Sequence, residues 1–211
     1  MGYRLPSGSV EIGHPLHVDY EESVMPEPVI PQIPKDELDH DLREVFDTGI
    51  ERTGDATIIG VMAQQPNILR WYFSQFYDGL FYNDNPGMTV DVRTKELLRL
   101  KLSKQHGCQF CNRFNTVDAM AAGITQETVD HLMDSSSDHH SAKDQAVLQM
   151  CEEMMLQNQQ GHLSQELYSR LRQHYDDGQV VEMGFIAAIL TGVAKWIFTF
   201  DLVNREESCP F

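Results

Sequence analysis

Apolar residues recur at helical spacing along most of the chain, and no stretch alternates with the two-residue period of a strand. The pattern predicts helices over these ranges: 36–52, 56–64, 67–82, 92–104, 108–122, 125–133, 142–157, 164–175 and 178–203. The aromatic residues in 67–82 form one stripe, which is typical of a core-facing helix rather than of a cofactor site. We therefore predict an all-α protein.

The chain divides into an extended arm, residues 1–35, and a single helical domain, residues 36–211. Six of the nine prolines fall in the arm, where they remove backbone donors and favour extended backbone. The arm could be disordered or could lie across a neighbouring subunit, and its sequence fits both.

The last predicted helix carries the apolar run GFIAAILTGVAKWIFTF, which is nearly long enough to span a bilayer. Lys195 and Asp201 interrupt this run, and no basic flank follows it. Gly184, Ala188 and Gly192 recur every four residues and allow close helix contact. We interpret the segment as a central buried helix and expect no membrane partner.

The net charge of the chain indicates which macromolecules it is unsuited to bind. The chain has 32 acidic and 16 basic residues and a formal net charge of -16. Such a surface repels nucleic-acid phosphates and anionic lipids, so we expect neither as a partner. No basic-then-apolar signal segment is visible at the N-terminus, and four cysteines are few for a secreted disulfide scaffold. The sequence thus favours a cytoplasmic protein.

The main candidate site is the Cys108-Gln109-Phe110-Cys111 motif, which follows a His106-Gly107 break. Two cysteines three residues apart at a helix start lie on one face of the first turn. The unpaired N–H groups and the dipole at that end favour thiolate, so the pair could act as a redox dithiol. A zinc half-site or an inert buried pair are the alternatives. No second ligand pair is evident, so we expect no metal, and no cofactor motif is present.

Glu96 is the candidate base. It lies among leucines on the preceding helix, where desolvation would raise its pKa and let it accept a thiol proton. The alternative is a solvated surface glutamate. Glu96 also lies roughly 15 Å along an ideal helix from the break, so a flat helical hairpin would separate it from Cys111 unless a relay intervenes. We expect no functional role for Cys151 or Cys209.

These residues resemble the alkylhydroperoxidase D / carboxymuconolactone decarboxylase superfamily. The likeness rests on Glu96, eleven intervening residues, Cys108-x-x-Cys111 and the following Ala121–Thr125 segment AAGIT, and it extends over residues 60–203. MAQQPNILRWYFSQFYDGLF resembles the helix that precedes the motif in that superfamily.

The resemblance implies a helical, homo-oligomeric protein, usually a trimer or hexamer, with thiol peroxidase activity. In that branch Cys111 would attack a hydroperoxide, Cys108 would resolve the product as a disulfide, and Glu96 would be the base. A lipoyl or thioredoxin-like thiol reductant would recycle the pair. The small-molecule substrate would be a hydroperoxide.

The chain departs from this pattern at two positions. Asn115 stands where the superfamily usually has a histidine, and Phe110 stands where its founding peroxidase has another. Asn115 can form hydrogen bonds but cannot carry a proton near neutral pH. His106 is the nearest possible substitute in a relay, although a histidine in a helix break is more typically a solvated capping residue.

Two other functions stay open. One is a decarboxylase or lyase acting on a small lactone, which needs basic groups but no cysteine pair. The other is a non-catalytic, redox-sensing oligomeric scaffold.

Overall fold

The computed structural model describes residues 26–206, and the regular elements in that range are helices, with no strand among them. Its α-helices are α1 His40–Thr53, α2 Thr57–Met62, α3 Pro66–Arg70, α4 Val92–Gln105, α5 Gln109–Ala121, α6 Gln126–Asp130, α7 Ala142–Glu153, α8 Gln165–Leu171 and α9 Asp177–Thr199. A 3₁₀ turn, Lys35–Glu37, precedes α1, and a π-helix, Trp71–Phe81, continues α3. The predicted all-α class is confirmed. Residues 1–25 of the arm and Cys209 lie outside the described residues.

The centre of the fold is α4, which packs against α5, α7 and α9. Every residue from Thr94 to Ser103 is buried, including four with charged side chains: Lys95, Glu96, Arg99 and Lys101. Asp91 caps the helix by accepting a hydrogen bond from the Thr94 backbone N–H at 2.8 Å. Because α4 is buried, its charged side chains need partners inside the protein, and these ion pairs connect α4 to neighbouring segments.

The aromatic segment predicted as one α-helix is instead a short α-helix followed by π-helix. The Tyr82 backbone N–H donates to Tyr77 O at 2.8 Å, a five-residue step. The wider turn accompanies a set of closely packed rings, among them Tyr72 against Phe76 and Phe76 against Phe81. π-helical turns in proteins frequently occur at functional sites.

Several predicted helices end earlier than their apolar patterns indicated, and α7, α8 and α9 are the clearest cases. α7 stops at Glu153, where the Asn158 side-chain amide donates to Glu152 O at 3.1 Å. α8 ends at Leu171, and Tyr175 then packs in the core as part of a turn. α9 ends at Thr199. In each case apolar residues beyond the helix still face the core, so the hydrophobic pattern alone could not mark the boundary.

α9 is long and apolar enough to cross a membrane by length and composition, and a core helix of a soluble protein meets the same criteria. Nearly half of its apolar window, 44%, is buried inside the fold. It packs on α4, and its first turn carries a capping box formed by Asp176 and Gln179. The predicted role as a buried helix agrees with this packing.

The described end of the arm lies along α2. The Ile33 backbone N–H donates to Gly60 O at 2.9 Å, and the Gln64 side chain donates to Pro31 O at 2.7 Å. A Cβ on Gly60 would come within 2.9 Å of the Gln32 side chain, so the glycine permits this close approach.

Candidate active site around the Cys108–Cys111 pair

The turn between α4 and α5 places both cysteines at a helix start. Gly107 has a φ of 65°, which favours glycine, and it reverses the chain after α4. Cys108 is the N-cap of α5, and its Sγ accepts a hydrogen bond from the Cys111 backbone N–H at 3.1 Å. Cys108 and Cys111 are joined as a disulfide, with their Cα atoms 5.2 Å apart. The chain can therefore close this pair within its native fold.

The two sulfurs differ in access. Cys108 is 1% exposed, whereas Cys111 is half-buried. Both line a cavity of about 220 Å³ enclosed by α1, α2, the π-helix, α4, α5 and α9. Most of its wall is apolar, with aromatic side chains from Tyr72, Phe73, Tyr77, Phe110 and Phe114. A small organic molecule in this cavity would meet the disulfide at its wall.

A C-terminal strap, residues 202–206, runs beside the cysteine turn. The Gln109 backbone N–H donates to Asn204 O at 3.2 Å, and the Glu206 N–H donates to Gly107 O at 2.9 Å. The Asn112 side-chain amide donates to Glu206 Oε1 at 2.5 Å. Cys108 and Arg205 form an isolated antiparallel bridge. The strap thus fixes the turn that carries Cys108 and helps to bury it.

His106 and Asn115 both line the cavity with the cysteines. The sequence favoured a solvated role for His106, and that expectation is wrong, because the side chain is 1% exposed. Burial lowers the pKa of His106 to about 4, so its imidazole is neutral at physiological pH. Asn115 is half-buried on the α5 face one turn beyond Cys111.

Glu96 is buried, at 2% exposure, but it does not line the cavity. Its carboxylate accepts hydrogen bonds from Arg99 Nη2 at 2.6 Å and from Tyr82 Oη at 3.3 Å. Desolvation raises the pKa of Glu96, and the charge of Arg99 opposes that rise. The antiparallel packing of α4 on α5 sets Glu96 beside the later turns of α5, so its connection to the cavity runs through Arg99.

Arg99 also contacts a second carboxylate, that of Asp118, which was not predicted from the sequence. Arg99 Nη2 donates to Asp118 Oδ2 at 2.7 Å, and Arg52 Nη2 from α1 donates to the same oxygen at 2.5 Å. Arg99, Asp118 and Arg52 all line the cavity. Asp118 lies seven residues after Cys111, hence on the same α5 face, and that spacing was the available signal. Nothing local indicated Arg52, which comes from a different part of the chain.

Cys151 is fully buried, and burial raises its pKa to about 12, which leaves it an unreactive thiol as the sequence indicated. Within residues 26–206, no group of three or more histidine, cysteine, aspartate or glutamate side chains is arranged to hold a metal ion. The cysteine pair and its polar neighbours His106, Asn115 and Asp118 line the cavity together.

The model of the carboxymuconolactone decarboxylase family matches residues 69–153, which include α4, α5 and the cysteine pair. An uncharacterized protein of Bacillus subtilis strain 168, YdfG, is 31% identical over 109 residues, covering 51% of this chain and 71% of that protein. The chain belongs to the carboxymuconolactone decarboxylase family. Arg52 and the rest of α1 lie outside the matched range.

Solved structures agree on the fold. An alkylhydroperoxidase AhpD core, an uncharacterized peroxidase-related protein from Ralstonia eutropha JMP134, superposes with a TM-score of 0.65 at 15% identity, covering 84% of this chain and 93% of that one. The debrominase Bmp8 in complex with 2,3,4-tribromopyrrole gives a TM-score of 0.63 at 17% identity, covering 86% and 93%. At these identities the similarity establishes a shared helical fold and leaves the chemistry to be argued from the site.

Proposed function

We propose that this family member is a thiol-dependent peroxidase that reduces organic hydroperoxides through Cys111 and Cys108. The observation that carries the proposal is the position of the pair: a disulfide at a helix start forms part of the wall of an apolar cavity. The similarity to a peroxidase-related fold and the superfamily motif support it.

In the oxidative half, the Cys111 thiolate attacks the terminal oxygen of a hydroperoxide. The O–O bond breaks, the alkoxide leaves and takes up a proton, and Cys111 becomes a sulfenic acid. The Cys108 thiolate then attacks the sulfenic sulfur, forming the disulfide and releasing water. Cys111 takes the first step because it is the more exposed sulfur.

In the reductive half, a dithiol donor attacks Cys111 and Cys108 leaves as a thiolate. The Cys111 backbone N–H, 3.1 Å from the Cys108 sulfur, would stabilise that leaving group. A lipoyl or thioredoxin-like dithiol fits this step. The role of Glu96 as the proton acceptor stays a prediction from the superfamily motif.

The decisive experiment is single-turnover oxidation of the reduced protein by cumene hydroperoxide, followed by counting of free thiols. Wild type should rapidly lose two thiols, and Cys111→Ser should lose none at that rate. Cys151→Ser is the matched control and should behave as wild type, because Cys151 is buried away from the cavity. Loss of the pair over hours, at the rate of an ordinary cysteine, would reject the proposal.

A second candidate is a decarboxylase or lyase acting on a small lactone. The observation in its favour is that Arg52 and Arg99 line the cavity, since such a substrate requires basic groups for its carboxylates. Against it, both guanidinium groups already bind Asp118. Turnover of an aromatic-derived lactone that survives Cys111→Ser would favour this function over the peroxidase.

A further inference from the structure

The cavity has two chemically different ends that lie along one face of α5. Cys111, Asn115 and Asp118 follow at spacings of four and three residues and all line it. At 1.5 Å of rise per residue, the seven residues from Cys111 to Asp118 span about 10 Å. A substrate that touches both ends must be elongated.

The end remote from the sulfurs is polar. Two guanidinium groups, Arg52 and Arg99, contact Asp118, and Arg99 also pairs with Glu96. Asp118 Oδ2 receives both guanidinium groups, whereas Asp118 Oδ1 accepts no hydrogen bond from any residue within 26–206. The Asp118 side chain is 20% exposed, and the residue lines the cavity. This end therefore offers one carboxylate oxygen as a hydrogen-bond acceptor.

An anion at this end would meet the Asp118 carboxylate, and Asp55 adds a second carboxylate to the cavity wall, so an anionic group is disfavoured. A neutral hydroxyl or amide N–H can donate to Asp118 Oδ1 without disturbing either ion pair. The wall between the two ends is apolar and aromatic, so it suits a hydrocarbon body.

We propose that the substrate is an elongated organic hydroperoxide with a hydrogen-bond donor at the end remote from the peroxide, and that Asp118 recognises that donor. Asp118 is then a specificity-determining residue, held in place by Arg99 and by Arg52. This inference rests on the proposed peroxidase function and adds the class of its substrate.

The test compares two probes that differ only at the remote end: n-octyl hydroperoxide and its ω-hydroxy counterpart. The measured quantity is the second-order rate of Cys111 oxidation. Wild type should prefer the hydroxy probe by about tenfold, the usual effect of one hydrogen bond to a charged acceptor. Asp118→Asn should lose the preference, so that its rates with the two probes become equal. Asp130→Asn, an exposed aspartate on α6, is the control and should keep the preference.

The outcomes separate the two proposals. If wild type reacts with neither probe, the peroxidase function fails and this inference fails with it. If wild type reacts with both probes at the same rate, only the inference about the substrate is overturned. That inference alone is also overturned if Asp118→Asn keeps the full preference. If Asp118→Asn does not fold, the ratio of the two wild-type oxidation rates decides whether the inference about the substrate holds.

Discussion

Two sets of charged residues on α4 are buried in opposite ways. In the first set, Lys95 Nζ donates to Leu80 O at 2.7 Å and to Asn83, and it forms an ion pair with Glu182 Oε1 at 2.5 Å. Lys101 donates to the Leu132 and Met133 carbonyls and to Glu152. Each ammonium group has three polar partners, so these lysines tie α4 to its neighbours.

The second set, Arg99 with its carboxylate partners, is incompletely satisfied. Arg99 pairs with Glu96, whereas its other partner, Asp118, lines the cavity and has one oxygen that accepts no hydrogen bond within residues 26–206. Burial of charge by itself does not mark a functional site in this protein. The distinguishing feature is a buried ion pair whose last acceptor faces a space large enough for a substrate.

The largest effect is expected from removing a buried lysine of the first set, and it is an effect on stability. Lys95→Met removes the ammonium and leaves Glu182 buried, so the free energy of unfolding should fall by about 3–5 kcal/mol. Urea denaturation measures this change. The double variant Lys95→Met/Glu182→Gln should recover part of the loss, since it removes the uncompensated charge. A fall in the free energy of unfolding of less than about 1 kcal/mol would show that the Lys95–Glu182 pair contributes little to stability.

The next effect concerns pH and His106. Because its folded pKa, about 4, lies below the value of 6.5 usual in an unfolded chain, the unfolded state binds the proton first as pH falls. The stability from a neutral His106 is complete above pH 6.5 and is lost progressively towards pH 4. Between about pH 7.5 and pH 5 the loss should be about 2 kcal/mol.

Denaturation of His106→Gln over the same pH range provides the comparison. This variant should be less dependent on pH by that amount, whereas His162→Gln, which replaces an exposed histidine, should match wild type. Equal slopes for wild type and His106→Gln would mean that the imidazole is not held neutral in the fold.

The smallest effect is expected for Glu96→Gln on the oxidation of Cys111. Because Glu96 reaches the cavity through Arg99, we expect a slowing of less than about tenfold, whereas a direct general base usually contributes about a hundredfold or more. The pH–rate profile of Cys111 oxidation measures this, with Glu166→Gln on the α8 surface as control. A slowing of a hundredfold together with a lost ionisation would establish Glu96 as the base.

Local sequence signals were sufficient for most of the fold. Helical periodicity located the helices, and Cys108 at a helix start followed from the His106-Gly107 break. The π-helix escaped prediction because aromatic spacing of three to five residues fits a 3.6-residue period nearly as well. The Arg52–Asp118 contact and the strap over Cys108 join segments distant in sequence, and no local pattern encodes such pairings.

The strap has a practical consequence for work with this protein. Its last described residue, Glu206, is hydrogen-bonded to Gly107 beside the disulfide. A bulky label attached to Glu206 itself would therefore lie beside the disulfide and restrict access to it. Labels for experiments on the cysteine pair should be attached away from this strap.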